Sequence, residues 1–184
     1  MNLHVGSRDE PALLDLKKHH DERGWFMKLV PLIDPQLMPN IDSNFEIYFS
    51  NSMPGVIRGL HLQVPPYDHS KCVFVISGIV EDVAICVDPQ RENFGKIYRY
   101  ELRDDESKLL YVPKGFAHGF RVTKGPATLG YLVSSLYSAD HDTGVNFSEI
   151  PEWRDLNPTV SQRDRALPGL DAFRSQALKN SWWM

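Results

Sequence analysis

Short runs rich in β-branched and aromatic residues, each closed by a turn signal, leave a chain of this kind few ways to fold. FEIYFSNS (45–52), KCVFVISGIV (71–80), EDVAICVD (81–88), KIYRYEL (96–102), KLLYVP (108–113), FRVT (120–123) and ATLGYLVSSLY (127–137) follow one another along the sequence. Several alternate polar with apolar residues, the period of a strand with one buried face. KIYRYEL is the clearest: Ile97, Tyr98 and Tyr100 interleave with Arg99 and Glu101. ISG (76–78), DPQRENFG (88–95), RDDES (103–107) and PKG (113–115) separate the runs. Many short strands with turns between them predict an antiparallel sandwich or barrel.

Helical signals are few. SQRDRALPGLDAFRSQALKN predicts one short helix near 170–179. A second short helix or turn is expected over 33–39, where Asp34 can cap and Pro35 takes the first helical position. No repeat, low-complexity stretch or linker interrupts the 184 residues, so residues 1–184 read as one all-β domain with a partly helical tail. A net charge of −4 argues against nucleic acid as partner, which usually meets a strongly basic face. It leaves room for a small anionic ligand held by a local Arg and Lys cluster. The N-terminus carries no secretory pattern, and no apolar stretch is long enough to span a membrane. Cys72 and Cys86 sit in apolar runs and read as two buried thiols, which fits a reducing cytoplasm.

Two segments place a single histidine among Gly, Pro and apolar residues: GVIRGLHLQVPP (55–66) and YVPKGFAHGF (111–120). A lone histidine in such a setting is ordinarily structural, but two in one β domain, with Arg58 and Lys71 nearby, point to a site. A transition metal needs about three protein ligands. Position 63 is Gln63, Asp68 and His69 lie in a Pro-rich loop, and His19 and His20 face opposite ways on a strand, so no third ligand stands at a convincing spacing. The alternative is acid–base chemistry: a histidine taking a proton, a carboxylate fixing its tautomer, a tyrosine returning a proton, and Lys or Arg holding an oxyanion. Spacing alone leaves open whether these parts meet.

Together, DERGWF (21–26), GVIRGLHLQ (55–63), the Pro pair before Lys71, GIVEDVAICVD (78–88), Phe94-Gly95 and YVPKGFAHGF (111–120) resemble the dTDP-4-dehydrorhamnose 3,5-epimerases. Tyr131, Tyr137, Asp142, Phe147 and VSQRD (160–164) match more loosely. The resemblance implies a cupin jelly roll (double-stranded β-helix) that forms a homodimer by exchanging strand segments. It implies an enzyme without cofactor or metal, acting on a nucleoside-diphosphate 4-keto-6-deoxy sugar. The C4 ketone acidifies C3 and C5; a proton is removed, an enolate forms, and reprotonation comes from the other face. By this resemblance His61 is the base, Asp164 its partner, Tyr131 the acid and Lys71 the enolate-stabilising cation. Arg58 and His118 would line the sugar pocket. Arg23 would hold the diphosphate, from the partner subunit, and Phe26 and Gln63 would form nucleotide and sugar walls. Asp82 and Asp88 read as structural.

The match breaks at Glu46 and Tyr48, where the family has Gln and Asn, at Leu132, where it has Lys, and at Leu136, where an aromatic is usual. Glu46, Tyr48 and Tyr137 are therefore expected to reshape the substrate walls, with Tyr137 offering a ring for the base. The departures suggest a paralogue with a different nucleotide, a different sugar, or inversion at one carbon only. Competing readings are a cupin 3,4-ketoisomerase, a metal-dependent cupin oxygenase and a catalytically silent sugar-nucleotide binder.

Overall fold

The computed structural model describes residues 9–29 and 45–183; the helix expected over 33–39 lies outside them. Among the described residues ten strands form: β1 (Ala12–Asp15), β2 (Lys18–Asp21), β3 (Gly24–Met27), β4 (Glu46–Ser52), β5 (Ile57–Gln63), β6 (Lys71–Cys86), β7 (Ile97–Arg103), β8 (Lys108–Val112), β9 (Phe116–Val133) and β10 (Asp142–Gly144). Three short α-helices follow: α1 (Pro151–Arg154), α2 (Gln162–Arg165) and α3 (Leu170–Lys179). The helix read near 170–179 is thus present with those bounds.

All pairing is antiparallel within the named strands, and β6 and β9 organise it. Their first and last halves lie in different layers. Lys71–Val73 sits between β8 and the end of β9, and β1 and β4 complete that layer. Ile79–Ile85 sits between β7 and the start of β9, which in turn pairs β5, and β5 pairs β10. Two packed layers joined by two long strands make the jelly roll that the family resemblance implies, within the sandwich or barrel class that the strand pattern predicts. Side chains from both layers fill its interior: Val73, Leu110, Leu129 and Tyr131 meet Val80, Ala84, Leu102, Phe116 and Phe120.

Strict alternation cannot produce that interior. On β6 the inward residues include Val73 before the bend and Val80 and Ala84 after it; on β9 they include Phe116 and Phe120, then Leu129 and Tyr131. Even positions give way to odd, or the reverse, as each strand changes layer. Register irregularities between Val75 and Val80 insert the extra residue that keeps the same face inward. The outer face of the second layer is closed by the C-terminal segment, with Ile150, Trp153, Phe173 and Ala177 against Ile57, Leu60, Leu62, Val83 and Ile85. Trp153 is fully buried, and its indole N–H donates to Glu81 Oε2 at 2.9 Å. Burying Trp and Phe there stabilises by several kcal/mol, about 1.5–3 each. The same packing lays residues 159–165 along β5.

Candidate active site

A cavity of about 790 Å³ opens between the two layers. It is lined by Glu46, Tyr48, Arg58, His61, Gln63, Lys71, His118, Tyr131, Tyr137 and Asp164 among others. Ten of the twelve residues singled out from the sequence therefore meet there.

The β5 wall depends on a bulge. Arg58 pairs with Phe120 and His61 with His118, so three steps on β5 match two on β9. Without the extra residue, Arg58 and His61 would point to opposite faces; with it, both enter the cavity. Gly59 supplies the bulge at φ +103°, and a Cβ there would stand 2.7 Å from the His118 carbonyl oxygen. A Cβ on Gly119, opposite, would stand 2.4 Å from the Arg58 carbonyl oxygen. The glycines of RGLH and AHGF thus allow two backbones to touch where both histidines are presented.

His61 Nε2 lies 2.7 Å from Asp164 Oδ1. Asp164 Oδ2 accepts from the Gly59 amide at 3.0 Å, so the carboxylate braces both the bulge and the ring. Asp164 itself is fixed by α2: Ser161 is the N-cap, and its hydroxyl accepts from the Asp164 amide at 3.0 Å. Burial would raise the Asp164 carboxyl, but bonds from His61, Gly59 and Ser161 outweigh it and hold it below the usual carboxylate range. A carboxylate on Nε2 makes that nitrogen the proton-bearing one, leaving the Nδ1 lone pair as the basic site.

Tyr131 approaches from the other layer. It is almost wholly buried, shares a 3.3 Å hydrogen bond with Ser50 and stacks on Tyr48. Burial raises its phenol strongly, so it stays protonated. His118 Nε2 sits 2.8 Å from Asp82 Oδ1, and both are buried; burial raises Asp82, partly offset by His118. Lys71 donates from Nζ to the His61 carbonyl at 2.9 Å, and burial pushes its ammonium down to about 8 despite Asp142 and Asp82. An ammonium has three N–H donors, so two remain for a ligand oxygen. Arg58 donates to Ser52 Oγ at 2.8 Å and to the Asn51 carbonyl.

Gln63 is more a brace than a wall. Its amide bonds the carbonyls of Tyr67 and Leu136, and its oxygen accepts from the Ser138 amide at 2.6 Å. Glu46 accepts from the Tyr137 amide at 3.1 Å. The two side chains hold the segment carrying Tyr137, whose ring stays exposed at the mouth. Arg23 and Phe26 do not reach the cavity of their own chain. Arg23 closes the β2–β3 turn on Asp21, 2.6 Å away, and Phe26 is exposed on the same hairpin.

Sequence reasoning gave no role to Ser50, Arg163 or Asp142, which also line the cavity. Ser50 had a signal, since alternation along β4 places it on the face of Glu46 and Tyr48. Arg163 and Asp142 form an ion pair of 2.6 Å and carry no such pattern. Asp68 pairs with Lys114, and His69 sits 3.2 Å from Gln63 Nε2. Among the described residues no group of three or more His, Cys, Asp or Glu side chains could hold a metal ion.

Comparison with known proteins bears on what such an arrangement does. The sequence model of the dTDP-4-dehydrorhamnose 3,5-epimerases matches residues 9–172. The enzyme of that name from Shigella flexneri is 32% identical over 172 residues, spanning 89% of this chain and 93% of its own. The crystal structure of the Bacillus anthracis enzyme with TDP and pyrophosphate bound superposes with a TM-score of 0.78 at 30% identity, over 91% of this chain and 98% of that one. The Legionella pneumophila enzyme, in complex with dTDP-4-keto-L-rhamnose, gives a TM-score of 0.81 at 27% identity over 95% of each chain.

Proposed function

The chain belongs to the dTDP-4-dehydrorhamnose 3,5-epimerase family, and on that premise we propose which residues carry out the epimerisation and on what. The enzyme inverts C3, C5 or both in a 4-keto-6-deoxy sugar linked to a nucleoside diphosphate. His61 Nδ1 takes a proton from carbon beside the ketone, and the bonding electrons pass into the carbonyl. The enolate oxygen so formed is met by the Lys71 ammonium. The Tyr131 hydroxyl then gives its proton to the same carbon from the opposite face. Imidazolium and phenolate reset by exchange with solvent, so no net proton is gained or lost.

The observation that supports this reading is the 2.7 Å His61–Asp164 contact in one layer, facing the same cavity as a buried phenol from the other. A carboxylate on the far nitrogen favours the imidazolium that abstraction creates. The experiment is a panel of 4-keto-6-deoxy sugars on dTDP, CDP and GDP, incubated in heavy water and followed by NMR. The expected result is deuterium at C3, C5 or both, with inverted configuration, strongest on dTDP because the relatives are named for dTDP sugars. A carbonyl moved to C3 would make it a ketoisomerase. Binding with no exchange would leave only a sugar-nucleotide binder. Activity lost on chelation and restored by iron would make it a metal oxygenase.

We also infer a homodimer in which the β2–β3 hairpin of one chain brings Arg23 and Phe26 to the other's cavity. Trp25 and Phe26 on that hairpin, and Ile47 and Phe49 on the outer face of β4, are all more than half exposed. Large apolar side chains left this exposed on two elements of one chain are what a partner subunit would cover. Sedimentation should give a dimer; a monomer that turns over at full rate would remove the shared site. Cytoplasmic residence fits the two buried thiols, Cys72 and Cys86, and among the described residues no helix is long and apolar enough to cross a membrane.

A further inference from the structure

Tyr48 and Tyr131 are direct partners across β4 and β9. Their rings stack with centroids 4.7 Å apart and planes 16° off parallel. Ser50, two residues along on the same face of β4, shares a hydrogen bond with the Tyr131 hydroxyl at 3.3 Å. On a different side, the His118 ring meets Tyr131 edge-on at 6.3 Å. The phenol is therefore clamped by a ring face, a ring edge and a hydroxyl. Tyr131 is 6% exposed and Tyr48 40%, and both line the cavity.

We propose that Tyr48 is a positioning residue that aims the Tyr131 hydroxyl at the substrate face opposite His61, coupling proton abstraction to inversion. The inference rests on the reading of Tyr131 as proton donor. Stacked neutral rings hold each other in a fixed offset. Tyr48 stays neutral, since burial, with Glu46 and Asp142 close by, pushes its hydroxyl up to about 12. Delivery to the far face demands a donor held at a set distance and angle, whereas return of a proton from His61 to the near face does not involve Tyr131 at all. Loosening Tyr131 should thus leave exchange running while inversion fails. A hydrogen lost to His61 would come back as deuterium with its original configuration.

The test compares Tyr48→Ala, Tyr48→Leu, Tyr48→Phe and Tyr131→Phe in heavy water, scoring exchange and inversion separately at each carbon. In Tyr48→Ala the kcat for inverted product should fall about 10- to 100-fold, the scale expected for a misplaced reacting group, with KM and exchange with retention little changed. Tyr48→Leu guards against a folding defect in β4, keeping apolar bulk without the ring face, and should behave like Tyr48→Ala. Tyr48→Phe keeps the stack and should restore the parental ratio of inversion to exchange, whatever its absolute rate. Exchange and inversion falling in equal proportion, or inversion unaffected in Tyr48→Ala, would overturn the positioning role. Tyr131→Phe separates the two levels: inversion at the parental rate in that variant would remove Tyr131 as donor, and with it the basis for Tyr48.

Discussion

His61→Ala should cut solvent exchange at every centre of the sugar, and kcat with it, by about 10²–10⁴-fold, the usual contribution of a positioned general base. Every later step begins from the enolate, and the enolate needs an acceptor for the first proton. His61 is built for that single task. The bulge at Gly59 turns its ring into the cavity, Asp164 engages Nε2 at 2.7 Å, and no hydrogen bond is made to Nδ1 among the described residues. The variant should still fold, because His61 itself is only half-buried and its backbone contacts, including the Lys71 bond to its carbonyl, survive the change. Nucleotide affinity should also survive. NMR in heavy water gives the answer directly. Full exchange in the variant would remove His61 as the base and send the search to His118, whose Nε2 is similarly held by Asp82.

The fold and most of this site were legible in the sequence, but by different signals. Alternating apolar runs are a one-dimensional record of a sheet with one buried face, and β7 follows it, with Tyr98, Tyr100 and Leu102 turned to the core. Alternation also misleads. Lys71 and Asp82 are eleven residues apart on β6, and His118 and Tyr131 thirteen apart on β9, so strict parity would send each pair to opposite faces. Bulges at the bend between layers reverse the parity, and a bulge leaves no mark in composition beyond a glycine or proline. Asp164 lies 103 residues from His61, and no periodicity could join them. That pairing was reached only through resemblance, and the physical cause is the segment from Thr159 laid along β5, with the Ile57 amide donating to Thr159. Glu46 shows the reverse. Expected to reshape the substrate walls, it also accepts a backbone amide, a task its carboxylate shares with the amide oxygen of Gln.

Lys71→Met should make the protein more stable and nearly inactive at the same time. The parent ammonium is 6% exposed, and burial pushes it down to about 8, with Asp142 and Asp82 only partly offsetting that. An unfolded chain holds that proton to about 10.4. Between those values the unfolded state binds more protons than the folded one, so parental stability rises with pH across the window, and below about 8 the full cost of the buried charge is present. That cost is of the order of 3 kcal/mol, against about 1 kcal/mol for the lost bond to the His61 carbonyl, so the variant should gain about 2 kcal/mol at pH 7. The gain should shrink as pH climbs from 8 towards 10. Catalysis moves the other way. An enolate oxygen forming in this cavity has lost its cation, and kcat should fall about 10²–10³-fold, the scale for removing one preorganised charge stabiliser. The parent should itself lose activity as pH rises through about 8, when Lys71 gives up its proton, and that limb should vanish from the residual activity of the variant. Denaturant titrations at pH 7 and 10 and a pH–rate profile read all three effects. A stability gap that does not change with pH would mean that Lys71 is not a strained buried cation, and an active variant would mean that the enolate is stabilised elsewhere.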